Sequence, residues 1–450
     1  MPIVSPAQID PPAAETCPAM ALVPPSGAFA GCLAGRTTSG LGHLPAIATV
    51  MLGEDGSTAW TGADRPEVLN PGVPERHPPL RALGSVFAGN GFSIAGNAWM
   101  GWLAYDLAAS IEPGVLETHA APSMPLAMLH RVDLARASAA PPGPQPMPSV
   151  RPVLRSDPGR AGYTRAVARA LEYIRAGDIY QANIAHQLSG RCSGSAADLF
   201  ATLAATANPA HGLGLLAPAA PPGNPHPHAH PHALAVLSLS PELFLSFDAP
   251  TRRLTTRPMK GTRPGNADPR ELRDAEKDRA ELAMIVDLMR NDLGRVCEFG
   301  SVRVDDPRRI ERHATGPGAV LQATATVSGT VREGLTTADI LEATFPPGSV
   351  TGTPKLRAMQ IIDELEPFAR GPWCGCLGVF HDNGSFELAV AIRTIVIKGQ
   401  VQPGTDTFVN AELTYAVGAG IVADSDPESE WLETLDKARV LETVFDIRAE

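Results

Sequence analysis

The sequence predicts an α+β fold, and its apolar periodicities carry that reading. Beyond residue 370, strand-like runs are separated by turn signals: Trp373 to Phe380, then Asp382-Asn383-Gly384, then Phe386 to Ile397, a longer connection, and Leu413 to Val422. Asn-Gly between apolar runs is a hairpin signal, because the tight turn needs residues that tolerate positive φ. Elsewhere apolar residues return at helical spacing, as on a helix with one buried face. Runs of strands with helices set apart from them are the pattern of an α+β protein.

In chain order, residues 1 to about 137 carry no sharp chemical motif, and Gly101-Trp102-Leu103-Ala104-Tyr105-Asp106-Leu107 reads as a half-buried strand end. Ser138-Ala139-Ala140-Pro141-Pro142-Gly143-Pro144 cannot continue a helix or a central strand. It marks the join between an N-terminal region, 1–150, and a second region, 151–450, expected to pack closely together. Tyr163 to Ala176 reads as an amphipathic helix ended by Gly177. Residues 218 to 233 form a proline, alanine and histidine tract; His226, His228, His230 and His232 alternate there, but nothing nearby completes a rigid coordination shell, so a surface insertion is expected. Leu234 to Leu239 and Leu243 to Phe247 read as strands, and 271–293, 354–365 and 429–445 as helices. Pairing the last two strands of the chain would bring Arg393, taken as mid-strand, near a Gly418 to Gly420 turn.

Composition narrows the class. At 450 residues the chain can bury a large core. A formal charge of −11 argues against nucleic acid as a partner, and no polybasic membrane patch is present. No apolar run reaches the roughly 18 residues of a membrane span, and Met1-Pro2-Ile3-Val4 lacks the regions of a signal peptide, so a soluble, cytoplasmic protein is expected. Six cysteines are too sparse for a disulfide scaffold, and Cys374-Gly375-Cys376 lacks the second pair of a structural zinc site.

Several segments carry candidate chemistry. Lys260, in Arg257-Pro258-Met259-Lys260-Gly261-Thr262, would alone be an ordinary turn lysine. Asp278-Arg279-Ala280-Glu281 precedes Ile285, Leu288, Met289 and Leu293 at helical spacing, which puts its carboxylates one turn apart. Glu430 and Glu433 repeat the spacing near the end. Such pairs are commonly solvated faces, yet two acidic helices also suit Mg²⁺, which takes a few carboxylates and completes its shell with water and substrate oxygens. Gly418-Ala419-Gly420-Ile421-Val422-Ala423 fits a dinucleotide-binding pattern, but Asp424, Asp426 and Glu428 follow and would repel a pyrophosphate. A charge such as Arg393 in mid-strand is costly unless paired.

Together, Gly177-Asp178-Ile179-Tyr180-Gln181, Ser240-Pro241-Glu242, the Lys260 and Glu281 segments, Phe345-Pro346-Pro347-Gly348-Ser349-Val350-Thr351-Gly352-Thr353-Pro354-Lys355, and Gly418 to Ser425 with Pro427, Glu430 and Glu433 resemble the chorismate-utilising enzymes. The resemblance runs from roughly residue 155 to 447, in the family's order; Gly101 to Leu107 is similar to its N-terminal segment. It implies two large, mostly antiparallel β-sheets packed together with helices outside. It also implies Glu281 and Glu433 as Mg²⁺ ligands with Glu430 beside them, and Gly418, Ala419 and Gly420 as a backbone cradle for a carboxylate. Arg393 would hold a chorismate carboxylate through its planar fork, with charge added by Lys437. Glu242 falls at the acid/base position, which protonates the departing allylic hydroxyl. Gly261, Thr262 and Ser349 match substrate contacts.

Particular positions distinguish branches of the family. Isochorismate and salicylate synthases carry a water-activating lysine where this chain has Gln181, so ammonia is the expected nucleophile. Anthranilate synthases carry alanine where Lys260 stands. Lysine there resembles the aminodeoxychorismate synthase branch, in which its attack displaces the hydroxyl before ammonia enters at the para position. Trp373, where anthranilate synthases usually have tyrosine, resembles the same branch. Two departures stand out: Leu282 follows Glu281 where the family has asparagine or histidine, and Gln322 falls at a family histidine, where it can hydrogen-bond but not serve as an acid near neutral pH. The implied product is 4-amino-4-deoxychorismate, a precursor of 4-aminobenzoate for folate or a secondary metabolite. Nothing reads as a glutaminase nucleophile elbow, so ammonia is expected from solution or from a separate glutamine amidotransferase subunit. An anthranilate synthase component with an atypical lysine, and a non-catalytic binding subunit, are the alternatives.

Overall fold

Two β-sheets pack face to face in the computed structural model, which describes residues 32–34, 46–52, 58–62, 80, 83, 97–117, 124–133, 151–207, 209–218, 232–313, 320–402 and 405–449. Among those residues one sheet has nine strands and the other eleven. The pairings are antiparallel except that of Val153–Asp157 with Asp446–Arg448. The α+β class and the architecture implied by the resemblance both hold.

Strand Asn97–Leu103 shows how its sequence serves two layers. Successive side chains of a strand point to opposite faces. Ala98, Met100 and Trp102 therefore enter the core between the sheets, with Leu213, Leu215, Leu234, Val236, Leu377 and Val379. Trp99 and Leu103 join the core beneath helix Glu276–Gly294, with Leu282, Ile285 and Leu293. Gly101 to Leu107 is consequently buried almost throughout, rather than half-buried, because both faces of the strand are covered. The same strand pairs with Cys376–His381, so the N-terminal strands extend the eleven-stranded sheet. On the outside of the nine-stranded sheet, helices Gly159–Ala176, Lys355–Leu365 and Pro427–Ala438 share a core with Ala182, Ile184, Ala419 and Ile421.

The differences from the expected elements fall where the chain changes layer. Phe386 to Ile397 is not one strand: Phe386–Val390 belongs to the eleven-stranded sheet and Thr394–Val401 to the nine-stranded one. Arg393 lies at the crossing with φ 51, not in mid-strand. His232–Ser240 and Leu243–Asp248 likewise lie in different sheets, joined through Pro241 and Glu242. The two crossings are bonded side by side: the Val390 N–H donates to the Glu242 carbonyl and the Leu239 N–H to the Arg393 carbonyl, each at 3.0 Å. An apolar run buried in both sheets carries no periodic sign that it has moved from one to the other.

Smaller corrections have local causes. The strand expected from Trp373 starts only at Cys376, since Cys374 takes φ 63. The expected helix 271–293 is two helices, Pro269–Arg273 and Glu276–Gly294, broken at Asp274 and Ala275. The expected helix 429–445 is Pro427–Ala438 followed by a 3-10 turn, Arg439–Thr443. Gly418 to Gly420 do not form a turn; they lie within strand Thr407–Ile421, opposite Ala185, Ile184 and Asn183. The helix before Gly177 ends as expected, with the glycine at φ 85 satisfying the last carbonyls. The proline-rich join at 138–144 lies outside the described residues, as does the histidine tract 218–233 except for its ends, where Pro218 closes one strand and His232 and Ala233 open another.

Candidate active site

Lys260 sits in strand Met259–Pro264, which pairs with Val320–Thr330. The register slips between Lys260 and Thr262, leaving Gly261 as a bulge with φ 74. A Cβ at Gly261 would stand 2.6 Å from Leu272 and 2.8 Å from the Asp278 carboxyl carbon, so only glycine lets the acidic helix pack this closely. Asp278 accepts a 2.9 Å bond from Arg263, while Glu281, one turn later, lies 3.8 Å from the Lys260 ammonium. Thr262 is opposite Gln322, whose amide nitrogen reaches its hydroxyl at 3.4 Å and whose buried amide oxygen has no partner among the described residues.

The glycines of strand Thr407–Ile421 make room here rather than forming a cradle turn. A Cβ at Gly420 would lie 2.8 Å from the Lys260 amine and 2.9 Å from the Gln181 amide nitrogen. Among the described residues, neither polar atom of the buried Gln181 side chain has a hydrogen-bond partner. Buried amides are rarely left so, because each unmade bond costs about 1–3 kcal/mol. A polar ligand beside Lys260 would satisfy them. The Gly418 carbonyl is bonded by Lys437 at 2.8 Å, and Lys437 also meets Glu433 at 2.9 Å.

Glu242 occupies one sheet crossing and is 4% exposed. Burial raises its carboxyl from 4.5 to about 7, opposed by a Ser349 hydrogen bond, the Lys260 ammonium and the Met259 backbone. It is thus an acid still largely protonated just below neutrality. Ser349 comes from the short turn Gly348–Val350. At the neighbouring crossing the half-buried guanidinium of Arg393 has no carboxylate or hydrogen-bonding partner among the described residues; burial depresses its basicity, partly offset by Tyr415. Trp373 is placed otherwise, 5% exposed with its ring packed on Arg370.

The carboxylates gather around ammonium groups. Lys277 stands 3.9 Å from Glu281 and 3.6 Å from Glu430, so one cation already sits between acids from two helices. Glu430 is further held by the Ser425 hydroxyl at 2.6 Å. Burial raises the Glu281 carboxyl against Lys260 and Lys277, with Glu433 and Asp278 pushing the same way. Burial acts upward on Glu433 as well, but Lys437, Lys260 and Lys277 outweigh it and its carboxyl is lowered. Among the described residues no three such side chains stand in metal-holding geometry. Their carboxylate oxygens are the donor type a hard divalent cation takes, and the Lys277 ammonium marks a place between Glu281 and Glu430 that favours positive charge. Lys277 was missed from sequence, although its four-residue spacing from Glu281 on one helix is the signal that finds it.

The family model for chorismate binding enzymes matches residues 78–443. The chain is 39% identical over 332 residues to anthranilate synthase component 1 1 of Haloarcula marismortui, covering 70% of this chain and 60% of that protein. It is 38% identical over 290 residues to aminodeoxychorismate synthase component 1 of Escherichia coli, covering 63% and 57%. The chain thus spans little more than half the length of these relatives. Its fold is similar to that of anthranilate synthase component I from Streptococcus pneumoniae TIGR4, with a TM-score of 0.67 at 23% identity over 88% of this chain and 89% of that one. By the extent of the family match, this chain belongs to the chorismate-binding enzyme family.

Proposed function

We propose that the chain is the aminating component of an aminodeoxychorismate synthase, converting chorismate and ammonia to 4-amino-4-deoxychorismate. The observation that carries this reading is the meeting of the Lys260 amine and the Gln181 amide beside Gly420, with the buried acid Glu242 close enough to be lowered by the Lys260 charge. Once its ammonium has given up a proton, Lys260 forms a bond to a ring carbon while the allylic C–O bond breaks and Glu242 delivers the proton that lets the hydroxyl leave as water. Ammonia then bonds to the para carbon, and the bond to Lys260 breaks. Gln181, an amide that cannot deprotonate water, favours ammonia as the nucleophile. Arg393, without a carboxylate partner among the described residues, supplies a fork for a carboxylate of the substrate.

Glu281, Glu430 and Glu433 would hold Mg²⁺, which when bound supplies positive charge to neutralise the anionic substrate. Ammonia is proposed to come from a separate glutamine amidotransferase subunit or from solution, the protein is placed in the cytoplasm, and the product serves 4-aminobenzoate synthesis. Among the described residues no helix is long and apolar enough to cross a membrane. Similarity to relatives named anthranilate synthase favours a second reading, amination ortho to the ring carboxylate. Incubation with chorismate, Mg²⁺ and ammonium, followed by product separation with and without an added aminodeoxychorismate lyase, decides between them. Lyase-dependent 4-aminobenzoate supports the first, anthranilate alone rejects it, and no turnover points to a binding subunit.

A further inference from the structure

Behind the site lies a buried ion pair that none of the chemistry above uses. Arg370 and Glu366 are 5% and 3% exposed. The guanidinium holds the carboxylate by two bonds, Nη2 to Oε1 at 2.6 Å and Nε to Oε2 at 2.8 Å. Its remaining donors reach two distant backbones, the Val350 carbonyl at 2.9 Å and the Asn183 carbonyl at 2.7 Å. Glu366 in turn accepts the Ala185 N–H at 2.9 Å. The rings of Tyr105 and Trp373 pack on the guanidinium, 4.6 and 4.9 Å from its carbon.

Each anchored backbone is next to a site residue. Val350 adjoins Ser349, whose hydroxyl acts on the Glu242 carboxyl and favours its charged form. Asn183 and Ala185 lie on the strand that begins at Gln181, opposite Gly420 and Gly418. Removing two charges from water costs several kcal/mol each, and an apolar pair of similar volume is often as stable. Stability alone is therefore a weak reason for the pair, and its reach into both backbones supplies another. We propose that Arg370, clamped by Glu366, is a positioning residue that sets Ser349 against Glu242 and Gln181 beside Lys260. The inference rests on the functional reading above for its consequence in catalysis, but not for its geometry.

Two variants test it. Glu366→Leu with Arg370→Met removes the anchors without stranding a buried charge. Arg370→Lys keeps Glu366 balanced but cannot reproduce the planar fork. Glu242 is faced by Ser349, the Lys260 ammonium and the Met259 backbone, and it acts on Cys374 of the segment after Arg370. Its proton is followed in substrate-free protein by infrared titration of the carboxyl stretch, assigned by its loss in Glu242→Gln. Displacing Ser349 removes a bond to the charged form, so the midpoint should rise by about one pH unit in both variants.

In the amination assay kcat should fall at least about 10-fold with little change in KM, since a placed general acid contributes on the order of 100-fold or more. Folded variants with wild-type midpoint and kcat would overturn the proposal. Should neither fold, Ser349→Ala must by itself raise the midpoint, and an unmoved midpoint there overturns the link. A wild-type protein that consumes no chorismate would sink the functional reading while the infrared midpoints still decide the positioning role.

Discussion

Replacing Glu242 with glutamine should change how stability depends on pH. The folded carboxyl titrates at about 7 against 4.5 for the ordinary group. Below 4.5 it is protonated in both folded and unfolded chains and costs nothing. Between 4.5 and 7 the unfolded chain ionises first, so the folded chain holds the extra proton and loses stability as pH rises. The 2.5-unit interval, at about 1.4 kcal/mol per unit, amounts to roughly 3 kcal/mol lost by pH 8. Glu242→Gln has no such proton. Urea unfolding of both proteins at pH 4.5, 6 and 8 should show the variant gaining about 3 kcal/mol relative to wild type across that range. Turnover should fall sharply at every pH, and wild-type turnover should itself decline above about 7 as the acid loses its proton. Parallel stability curves would refute the assignment of a buried, raised carboxyl to this position.

Three further outcomes follow from the geometry. Gly420→Ala places a methyl against the ends of Lys260 and Gln181, which move more cheaply than backbone; the protein should fold, with kcat lower by on the order of 100-fold for a displacement near 1 Å, and unchanged kcat would show that neither side chain needs its present place. Glu281→Gln or Glu433→Gln should weaken Mg²⁺ binding in calorimetry and reduce turnover by more than about 100-fold, beyond what outer partners of a metal cost; wild-type affinity would remove these residues from the metal site. Gln181→Lys should raise hydroxylated product relative to aminated product, and an unchanged ratio in a folded, active variant would show that the position does not select the nucleophile.

The residues of the site were more legible than their surroundings. Lys260, Glu242 and Glu281 were singled out by the resemblance of their segments to the chorismate-utilising enzymes rather than by residue type alone, and the structure places Lys260 3.8 Å from Glu281. A helix near the end of the chain was readable, but its start was not: it begins at Pro427 rather than 429, where Asp426 caps it by accepting the Ser429 N–H at 2.9 Å. The crossings at Glu242 and Arg393 were not readable, because a strand entering a second sheet keeps its apolar pattern. Gly418 to Gly420 resembled a turn since glycine commonly marks one, yet here the missing side chains make room for neighbours within a strand. Trp373 carried a branch signal in sequence and a packing role in space, and local pattern does not separate those.

In the proposed function Lys260 becomes covalently attached to the substrate ring. Intact-protein mass spectrometry after rapid acid quenching, with chorismate and Mg²⁺ present and ammonium withheld, tests it most directly. The expected result is an adduct of chorismate less water, mapped by peptide fragmentation to Lys260, absent from Lys260→Ala and discharged by ammonium as 4-amino-4-deoxychorismate appears. Undiminished para-amination by Lys260→Ala, with no adduct in the wild type, would contradict it.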